Sequence, residues 1–136
     1  MTSDNKFCIS EDERLDYVNE KITLIQKKNG LTFGTDAFLL AAYIKPNRKS
    51  IAAELGCGTG IISLLCAARE KLSKIYAFEV QESFYDITKR NVDCNGFEDK
   101  IIPVVDEKAS KSNSNLFLDV SNLSTSFLNT FSFFFP

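Results

Sequence analysis

The sequence predicts an α/β protein whose parallel sheet has about three strands with flanking helices. Three apolar runs, at residues 50–55, 74–80 and 101–105, are continuous rather than alternating, as is typical of strands buried on both faces. Two segments with a helical spacing of apolar residues separate these runs, and the connections are short. Because crossovers between parallel strands are right-handed, this β-α-β-α-β order predicts a sheet covered by helices.

The segment before the sheet carries weaker signals. Residues 1–13 are polar and are expected to form a flexible N-terminus. Residues 14–32 are expected to form a turn-rich lead-in with one short strand, because alternating positions such as Ile22 and Leu24 precede the turn signal Asn29-Gly30.

A dense apolar segment, AFLLAAYI, follows this lead-in and predicts the first helix. Either Thr35 or Asp36 can cap its N-terminus. The helix is expected to run to about Ile44, where Pro46 helps to end it.

Two further helices are predicted between the strands. From Ile61 to Lys71 the apolar residues fall on one helical face, and charge gathers at the C-terminal end. From Glu82 to Asn95 the spacing is again helical, and Gly96 follows as a typical helix stop.

The last predicted strand and the residues after it differ from the rest. Pro103 cannot donate to a ladder, so the strand at 101–105 is expected at an edge of the sheet. Residues 14–106 are thus predicted to form a partial domain. Residues 107–136 form a tail rich in Ser, Asn and Phe, in which no periodicity predicts a helix or strand. This tail is expected to be foreign to the fold: a frameshifted or truncated end, or a divergent segment.

Composition excludes several classes of site. The chain has no His, which excludes Ser-His-Asp and Cys-His nucleophiles and His-ligated metals. Its four Cys lack CxxC spacing, so no zinc site is expected, and reduced thiols indicate a cytoplasmic protein. The net charge of −2 gives no electrostatic case for nucleic-acid binding. No apolar run is long enough for a membrane helix.

The sharpest motif is a glycine-rich segment where a predicted strand becomes a helix, Glu54-Leu55-Gly56-Cys57-Gly58-Thr59-Gly60. Glycines allow a tight turn and the close approach of a ligand, and the helix N-terminus offers free N–H groups to it. A P-loop would need Gly-Lys-Ser/Thr, which is absent. The third Gly of a dinucleotide fingerprint falls on Ile61, which argues against a nicotinamide-dependent dehydrogenase.

An acidic residue, Glu79, lies at the end of the next predicted strand. A glycine loop with an acid at the tip of the following strand is the arrangement that holds a ribose, whose two hydroxyls donate to the carboxylate. A solvated charge at a strand end is the alternative for Glu79 taken alone. The two features together predict a nucleoside-containing cofactor.

These residues resemble an S-adenosylmethionine-dependent methyltransferase with a Rossmann-like sheet. The text from ERLDYVNEKITLIQ through FGTDAFLLAAYI to AAELGCGTGIISLLCA is similar to the valine-tRNA adenine-N6 methyltransferases, a family of small-domain methyltransferases. The resemblance covers about residues 11–106, the N-terminal half of such a sheet. It implies S-adenosyl-L-methionine as cofactor, tRNA or another RNA as partner, and no metal.

The resemblance also implies a set of cofactor-binding residues. Phe33 to Asp36 is expected to fold over the cofactor, unless it only caps a core helix, and an acid near the adenine amine falls on Asp106 or Glu107. The remaining positions would surround the methionine, ribose and adenine parts: Glu54, Gly56, Cys57, Gly58, Gly60, Glu79 and Val80.

In this family an Asn-Pro-Pro-Tyr/Phe motif after the fourth strand binds the target amine and stacks the flipped base. The prolines here are Pro46, Pro103 and Pro136, and no two are adjacent. The resemblance therefore assigns no catalytic residue to this chain and implies truncation after about residue 106. A non-catalytic fragment that at most binds the cofactor is the alternative function, and docking through the Phe-rich end is another.

Overall fold

The computed structural model describes residues 7–30 and 32–105, together with the backbone of residues 132–134. In these ranges the chain forms an antiparallel hairpin, three helices and a parallel sheet. The elements, in chain order, are β1 (Glu13–Asn19), β2 (Ile22–Lys27), α1 (Thr35–Tyr43), β3 (Asn47–Leu55), α2 (Ile61–Ala68), β4 (Leu72–Glu79), α3 (Glu82–Asn95), β5 (Ile101–Val105) and β6 (Ser132–Phe134).

The sheet confirms the predicted α/β class. Its described strands have the order β5-β4-β3-β6, and every neighbouring pair is parallel. The strand that contains Pro103 lies at one end of this order, as the missing N–H of proline predicts. Two strands begin earlier than predicted, at Asn47 and Leu72, because these residues pair beyond the continuous apolar runs that marked the strands in the sequence.

Within the predicted tail, residues 132–134 form a short strand. The backbone of β6 pairs with β3, with Ser132 opposite Ala52 and Phe134 opposite Glu54. A strand of three residues is too short to show the alternation of apolar and polar residues that predicts a strand. It is recognisable only by its backbone pairing with the edge of β3. Asp106 and the rest of the tail lie outside the described residues.

The prediction of one short strand in residues 14–32 is wrong, because this segment contains two strands, β1 and β2. β1 and β2 pair across a tight turn at Glu20-Lys21, not at Asn29-Gly30. The sequence analysis did not predict β1 (Glu13–Asn19). Leu15 and Tyr17 alternate but face outwards, with 40% and 73% of their surface exposed. β1 is held mainly by backbone pairing with β2, and only Val18 of its apolar side chains packs against the core.

The first strand also corrects the predicted flexible N-terminus at its last residue. Glu13 opens β1 and is almost fully buried. The guanidinium of Arg90 on α3 donates to both of its carboxylate oxygens, at 2.7 and 2.9 Å. Such a two-point contact attaches the hairpin to α3.

The second edge of β2 is covered by two asparagines of α3. The amides of Asn91 and Asn95 each bind the N–H and the C=O of one β2 residue, Ile25 and Thr23 respectively, at 2.7–3.1 Å. Residues four apart on a helix are about 5–6 Å apart, close to the two-residue repeat of a strand, so the two periods match. The helix thereby takes the place of a third strand.

The helices differ from the prediction at their ends. Gly34, not Thr35 or Asp36, is the N-cap of α1. The second helix ends at Ala68, not at Lys71, because Glu70 adopts a left-handed φ of +52° and the N–H of Lys71 donates back to the carbonyl of Cys66 at 3.1 Å, which closes the helix. The Lys71 ammonium donates to three carbonyl oxygens at the C-terminus of α1, at 2.7–2.9 Å. A buried cation there binds carbonyls that have no partner within the helix.

The core lies where the helices and the hairpin meet the sheet. Its fully buried aliphatic side chains come from nearly every element: Ile22, Leu24, Ala41, Leu64, Leu65, Ile75, Ala77, Val92 and Ile101. Among the described residues, no helix is both long and apolar enough to cross a membrane.

Candidate cofactor cleft

A cleft of about 460 Å³ opens at the carboxyl ends of β3 and β4. Ligands of open α/β sheets bind at this end of the strands. Its volume falls in the range of about 300–1,000 Å³ that is typical of small-molecule sites. The predicted site residues that line it are Gly56, Cys57, Gly58, Glu79, Val80 and Asp36.

One wall is the glycine turn, which we define as Gly56 to Gly60. Its three glycines have φ values of +68°, +57° and +80°, a region that residues with a Cβ rarely adopt. A Cβ at Gly56 or Gly58 would meet no atom within 4 Å, although both residues line the cleft. The turn therefore presents bare backbone to the space that a ligand would fill.

Gly60 is needed for a different reason. It is the N-cap of α2 and does not line the cleft. A Cβ at this position would lie 3.0 Å from the methyl group of Thr88 on α3. Gly60 therefore allows close packing between the turn and α3 and is not in contact with the cleft.

The carboxylate of Glu79 is fixed by backbone groups on both sides. It accepts the N–H of Gly58 at 2.9 Å on Oε2, and the N–H groups of Val80 and Gln81 at 2.8 and 2.9 Å on Oε1. A carboxylate has about four acceptor sites, so one site remains on Oε2. The structure thus joins Glu79 to the glycine turn, as the sequence pattern predicts.

Glu54 lies apart from the cleft. Its carboxylate accepts the backbone N–H of Ser63 at 3.1 Å and also the hydroxyl of Ser63, in the first turn of α2. Burial raises the pKa of Glu54 to about 7, and the neighbouring charge of Glu79 adds to this increase, while the bonds from Ser63 oppose it. Glu54 is not among the residues that line the cleft.

Cys57 lines the cleft but is not a nucleophile. Burial is the main cause that raises the pKa of its thiol to about 12, so the reactive thiolate is absent near neutral pH. Its sulfur lies 3.4 Å from the hydroxyl oxygen of Thr88. The side chain therefore packs the turn against α3.

The facing wall, which we call the Phe33 wall, consists of Phe33 to Asp36. Its residues line the cleft, apart from Thr35, and Asp36 lies in the first turn of α1. The side-chain oxygen of Gln26 accepts the N–H of Phe33 at 3.3 Å. The ring of Phe33 packs against that of Phe38, with centroids 5.7 Å apart. The buried amide of Gln26 thus attaches this wall to β2.

The sequence interpretation missed two groups on α3. Phe84 lines the cleft, and Thr88 donates its hydroxyl to the carbonyl of Gly58 at 2.6 Å. Thr88 is fully buried although it is polar, as is Asn91 three residues later. Polar residues spaced along the buried face of a helix are a signal that could have identified this contact.

The described part of the chain holds no group of three or more His, Cys, Asp or Glu that could bind a metal ion. Asp106 cannot be placed, because it lies outside the described residues.

Comparison with known proteins gives a family match. The model of the methyltransferase small domain matches residues 27–121, which is more than half of the chain. A tRNA1(Val) (adenine(37)-N6)-methyltransferase of Flavobacterium psychrophilum is 30% identical over 83 residues, which cover 60% of this chain and 36% of the relative. The chain thus spans about a third of the length of this relative.

Solved structures share the fold. TYW2 of M. jannaschii in complex with AdoMet superposes with a TM-score of 0.60 at 15% identity and covers 73% of this chain and 45% of that one. The tRNA m1G37 methyltransferase of M. jannaschii gives a TM-score of 0.58 at 21% identity, with coverage of 70% and 30%. At these identities the likeness concerns the sheet and its helices.

Proposed function

The chain belongs to the methyltransferase small domain family, and we propose that it is the S-adenosylmethionine-binding half of a methyltransferase acting on tRNA. The proposed target is the exocyclic N6 of an adenine. The Flavobacterium psychrophilum relative, named for that reaction, supports this substrate. We place the activity in the cytoplasm, which fits four cysteines that are all free thiols.

The observation that carries the proposal is the cleft between the glycine turn and Glu79. Gly56 and Gly58 leave space that a Cβ would enter, and no protein atom lies within 4 Å of it. The carboxylate beside this space keeps one acceptor site free. Bare backbone next to an acceptor fits a ligand that carries hydroxyl groups, such as a nucleoside.

We assign roles to the lining residues accordingly. Oε2 of Glu79 accepts a ribose hydroxyl, and Val80 lies against the adenine. Gly56 and Gly58 let the backbone approach the amino-acid part, and the Phe33 wall covers the cofactor from the other side. Glu54 binds Ser63 in α2 and Gly60 packs against Thr88, and neither lines the cleft, so we leave both out of the cofactor-binding set.

The bound cofactor supplies a methyl group on a positively charged sulfur, which an amine nitrogen can attack. The contribution of the chain is to bind and orient this group. The cleft holds the donor at the carboxyl end of the sheet, and the fixed backbone of the turn costs little reorganisation.

Ligand binding tests the cofactor. In isothermal titration, S-adenosylmethionine and its demethylated product should bind in the micromolar to millimolar range, whereas NAD⁺ should give no heat. The contrast follows from Ile61, which stands where a dinucleotide site has its third glycine. A chain that binds neither methyl-donor ligand at millimolar concentration contradicts the proposal.

Methyl transfer tests the substrate. Unmodified tRNA is incubated with the chain and S-adenosylmethionine labelled in its methyl group, and the digested nucleosides are separated. Label in N6-methyladenosine supports the proposed target, and label in another nucleoside contradicts it. Cofactor binding without transfer to tRNA is the result expected from the alternative, a non-catalytic fragment, because the chain has no adjacent prolines.

A further inference from the structure

Asn91 is a buried amide that contacts two separate parts of the site. It is fully buried in α3, and its Nδ2 donates to the carbonyl of Thr59 in the glycine turn at 2.9 Å. The same Nδ2 donates to the carbonyl of Ile25 in β2 at 3.1 Å, while Oδ1 accepts the N–H of Ile25 at 2.7 Å. One side chain therefore sets the distance between the turn and β2.

The contact reaches the Phe33 wall through the next residue of β2. Gln26 directly follows Ile25, is itself 1% exposed, and accepts the N–H of Phe33. Its Nε2 donates to Asp16 of β1, so the amide has a fixed orientation. A continuous set of hydrogen bonds thus runs from Thr59 through Asn91 and β2 to Phe33.

We propose that Asn91 is a positioning residue that holds the two walls of the cofactor cleft in register. The inference rests on the proposed cofactor function, since it concerns the affinity of this cleft. Asn91 does not itself line the cleft; its amide contacts the backbone of Thr59, which does. Its effect is therefore on the spacing between the glycine turn and the Phe33 wall.

The chemistry of the site requires an amide. Two acceptors and one donor converge on this position, and a carboxamide supplies the matching two donors and one acceptor. An aspartate of the same size keeps the bond from Ile25 but places a carboxylate oxygen against two carbonyl oxygens. Asn91→Asp therefore removes the tie to Thr59 with the least change in shape.

Asn95, which is partly buried where Asn91 is fully buried, provides a control with the same kinds of bonds on the same helix. It accepts the N–H of Thr23 and donates to the carbonyl of Thr23, both at 2.9 Å. Its second donor bond goes to the carbonyl of Asn91 at 2.7 Å, within its own helix. The two asparagines thus have the same number and kind of bonds, and only Asn91 reaches the glycine turn.

The experiment compares Asn91→Asp with Asn95→Asp in the full chain. Each variant is melted without ligand and titrated calorimetrically with S-adenosylhomocysteine. Both should lower the melting temperature, but the dissociation constant should rise about tenfold or more for Asn91→Asp and less than about twofold for Asn95→Asp. Equal changes in dissociation constant overturn the inference. A failure of the unsubstituted chain to bind overturns the proposed function, and this inference with it.

A second measurement needs no substitution and serves if Asn91→Asp does not fold. Amide hydrogen exchange of the unsubstituted chain is followed with and without S-adenosylhomocysteine. Ligand should slow exchange at Ile25, whose N–H is bound by Asn91, more than at Thr23, whose N–H is bound by Asn95. Equal protection of the two amides, with ligand demonstrably bound, overturns the inference.

Discussion

Two buried carboxylates, those of Glu54 and Glu79, lie at or next to the ends of neighbouring strands and have different surroundings. Glu79, the last residue of β4, accepts three backbone N–H groups and lines the cleft. Glu54, one residue from the end of β3, accepts only the groups of Ser63 beneath the first turn of α2. Glu54 is near Gly56 in sequence and Glu79 is bonded to Gly58, yet only Glu79 lines the cleft.

The register of the sheet explains the difference. Glu54 pairs with Ala77, so Glu79 lies two residues further along its strand, about 6–7 Å beyond the level of Glu54. The two share a face of the sheet, because side chains two residues apart on a strand point the same way. The extra length moves one carboxylate out from under α2 into the cleft. Position along the strand therefore decides which acid lines the cleft.

Substitution of Glu79 should have the largest effect on cofactor affinity. Glu79→Gln keeps the size of the side chain but replaces one acceptor oxygen by a donor. We expect the dissociation constant for S-adenosylhomocysteine to rise roughly ten- to a hundredfold, the value of one charge-assisted hydrogen bond. Glu82→Gln, at the exposed start of α3, is the control and should bind normally. Unchanged binding by Glu79→Gln would remove Glu79 from the site.

The glycine turn should give the next largest effect. Gly58→Ala adds a methyl group at the edge of the cleft, and we expect about a tenfold loss of affinity in calorimetry, because the bare backbone is covered. Gly96→Ala is closely matched: its φ is +75°, nothing lies within 4 Å of the added Cβ, and it caps α3 away from the cleft. Both should lose about 1–2 kcal/mol of stability. Equal affinities contradict the placement of the ligand at Gly58.

Substitution of Glu54 should leave affinity within about twofold and change the pH dependence of stability instead. Its pKa of about 7 in the folded chain lies above the ordinary 4.5. Stability should therefore fall as pH rises from about 4.5 to about 7, by up to about 3 kcal/mol. Glu54→Gln should remove this loss in urea unfolding series at several pH values. A tenfold weaker cofactor affinity would instead place Glu54 in the site.

Substitution of Glu13 should have no effect on cofactor affinity. The pH dependence of stability that Glu13 contributes has the opposite sign to that of Glu54. The bonds from Arg90 lower the pKa of Glu13 from 4.5 to about 2. Its contribution is present above about pH 4.5 and is lost as pH falls towards 2, so Glu13→Gln should cost about 2–3 kcal/mol at pH 7 in urea unfolding. Asp86→Asn, at an exposed partner of the same Arg90, should cost less than about 1 kcal/mol. Similar losses in the two variants contradict a specific role for Glu13.

The pH series of the last two variants sharpens the contrast between buried acids. An acid with a cation beside it stabilises the fold when ionised, whereas an acid held only by a serine destabilises it when ionised. Burial is the main cause of the raised pKa of Glu54, whereas at Glu13 the bonds from Arg90 outweigh the effect of burial and lower the pKa. The cation beside Glu13 therefore decides the difference in sign.

Much of the fold could be predicted from the sequence because the signals are local. The strands near 50–55, 74–80 and 101–105 are marked by apolar runs, and helix α3 by its spacing and by Gly96. The turn that ends in Gly60 required residues tolerant of positive φ, which only a glycine-rich stretch supplies. The pairing of this turn with Glu79 followed from parallel strands ending at one edge.

Other features depend on partners distant in sequence. The side chains of Leu15 and Tyr17 are exposed, so they do not hold β1 in place. Its partners are β2 and the guanidinium of Arg90. The ammonium of Lys71 binds carbonyls some thirty residues earlier in the chain. No local pattern encodes either contact, so both were missed.

The sequence by itself determined which groups are available at the site. A glycine turn follows one strand of the sheet and an acid ends the next strand, which is the order predicted for a nucleoside-binding site. Only the tertiary structure decided which of two acids, Glu54 or Glu79, faces the cleft, and that Asn91 joins its walls. The physical reason is that residue type and backbone preference are local properties. Register, depth below a helix and hydrogen-bond partners are set only when the elements pack.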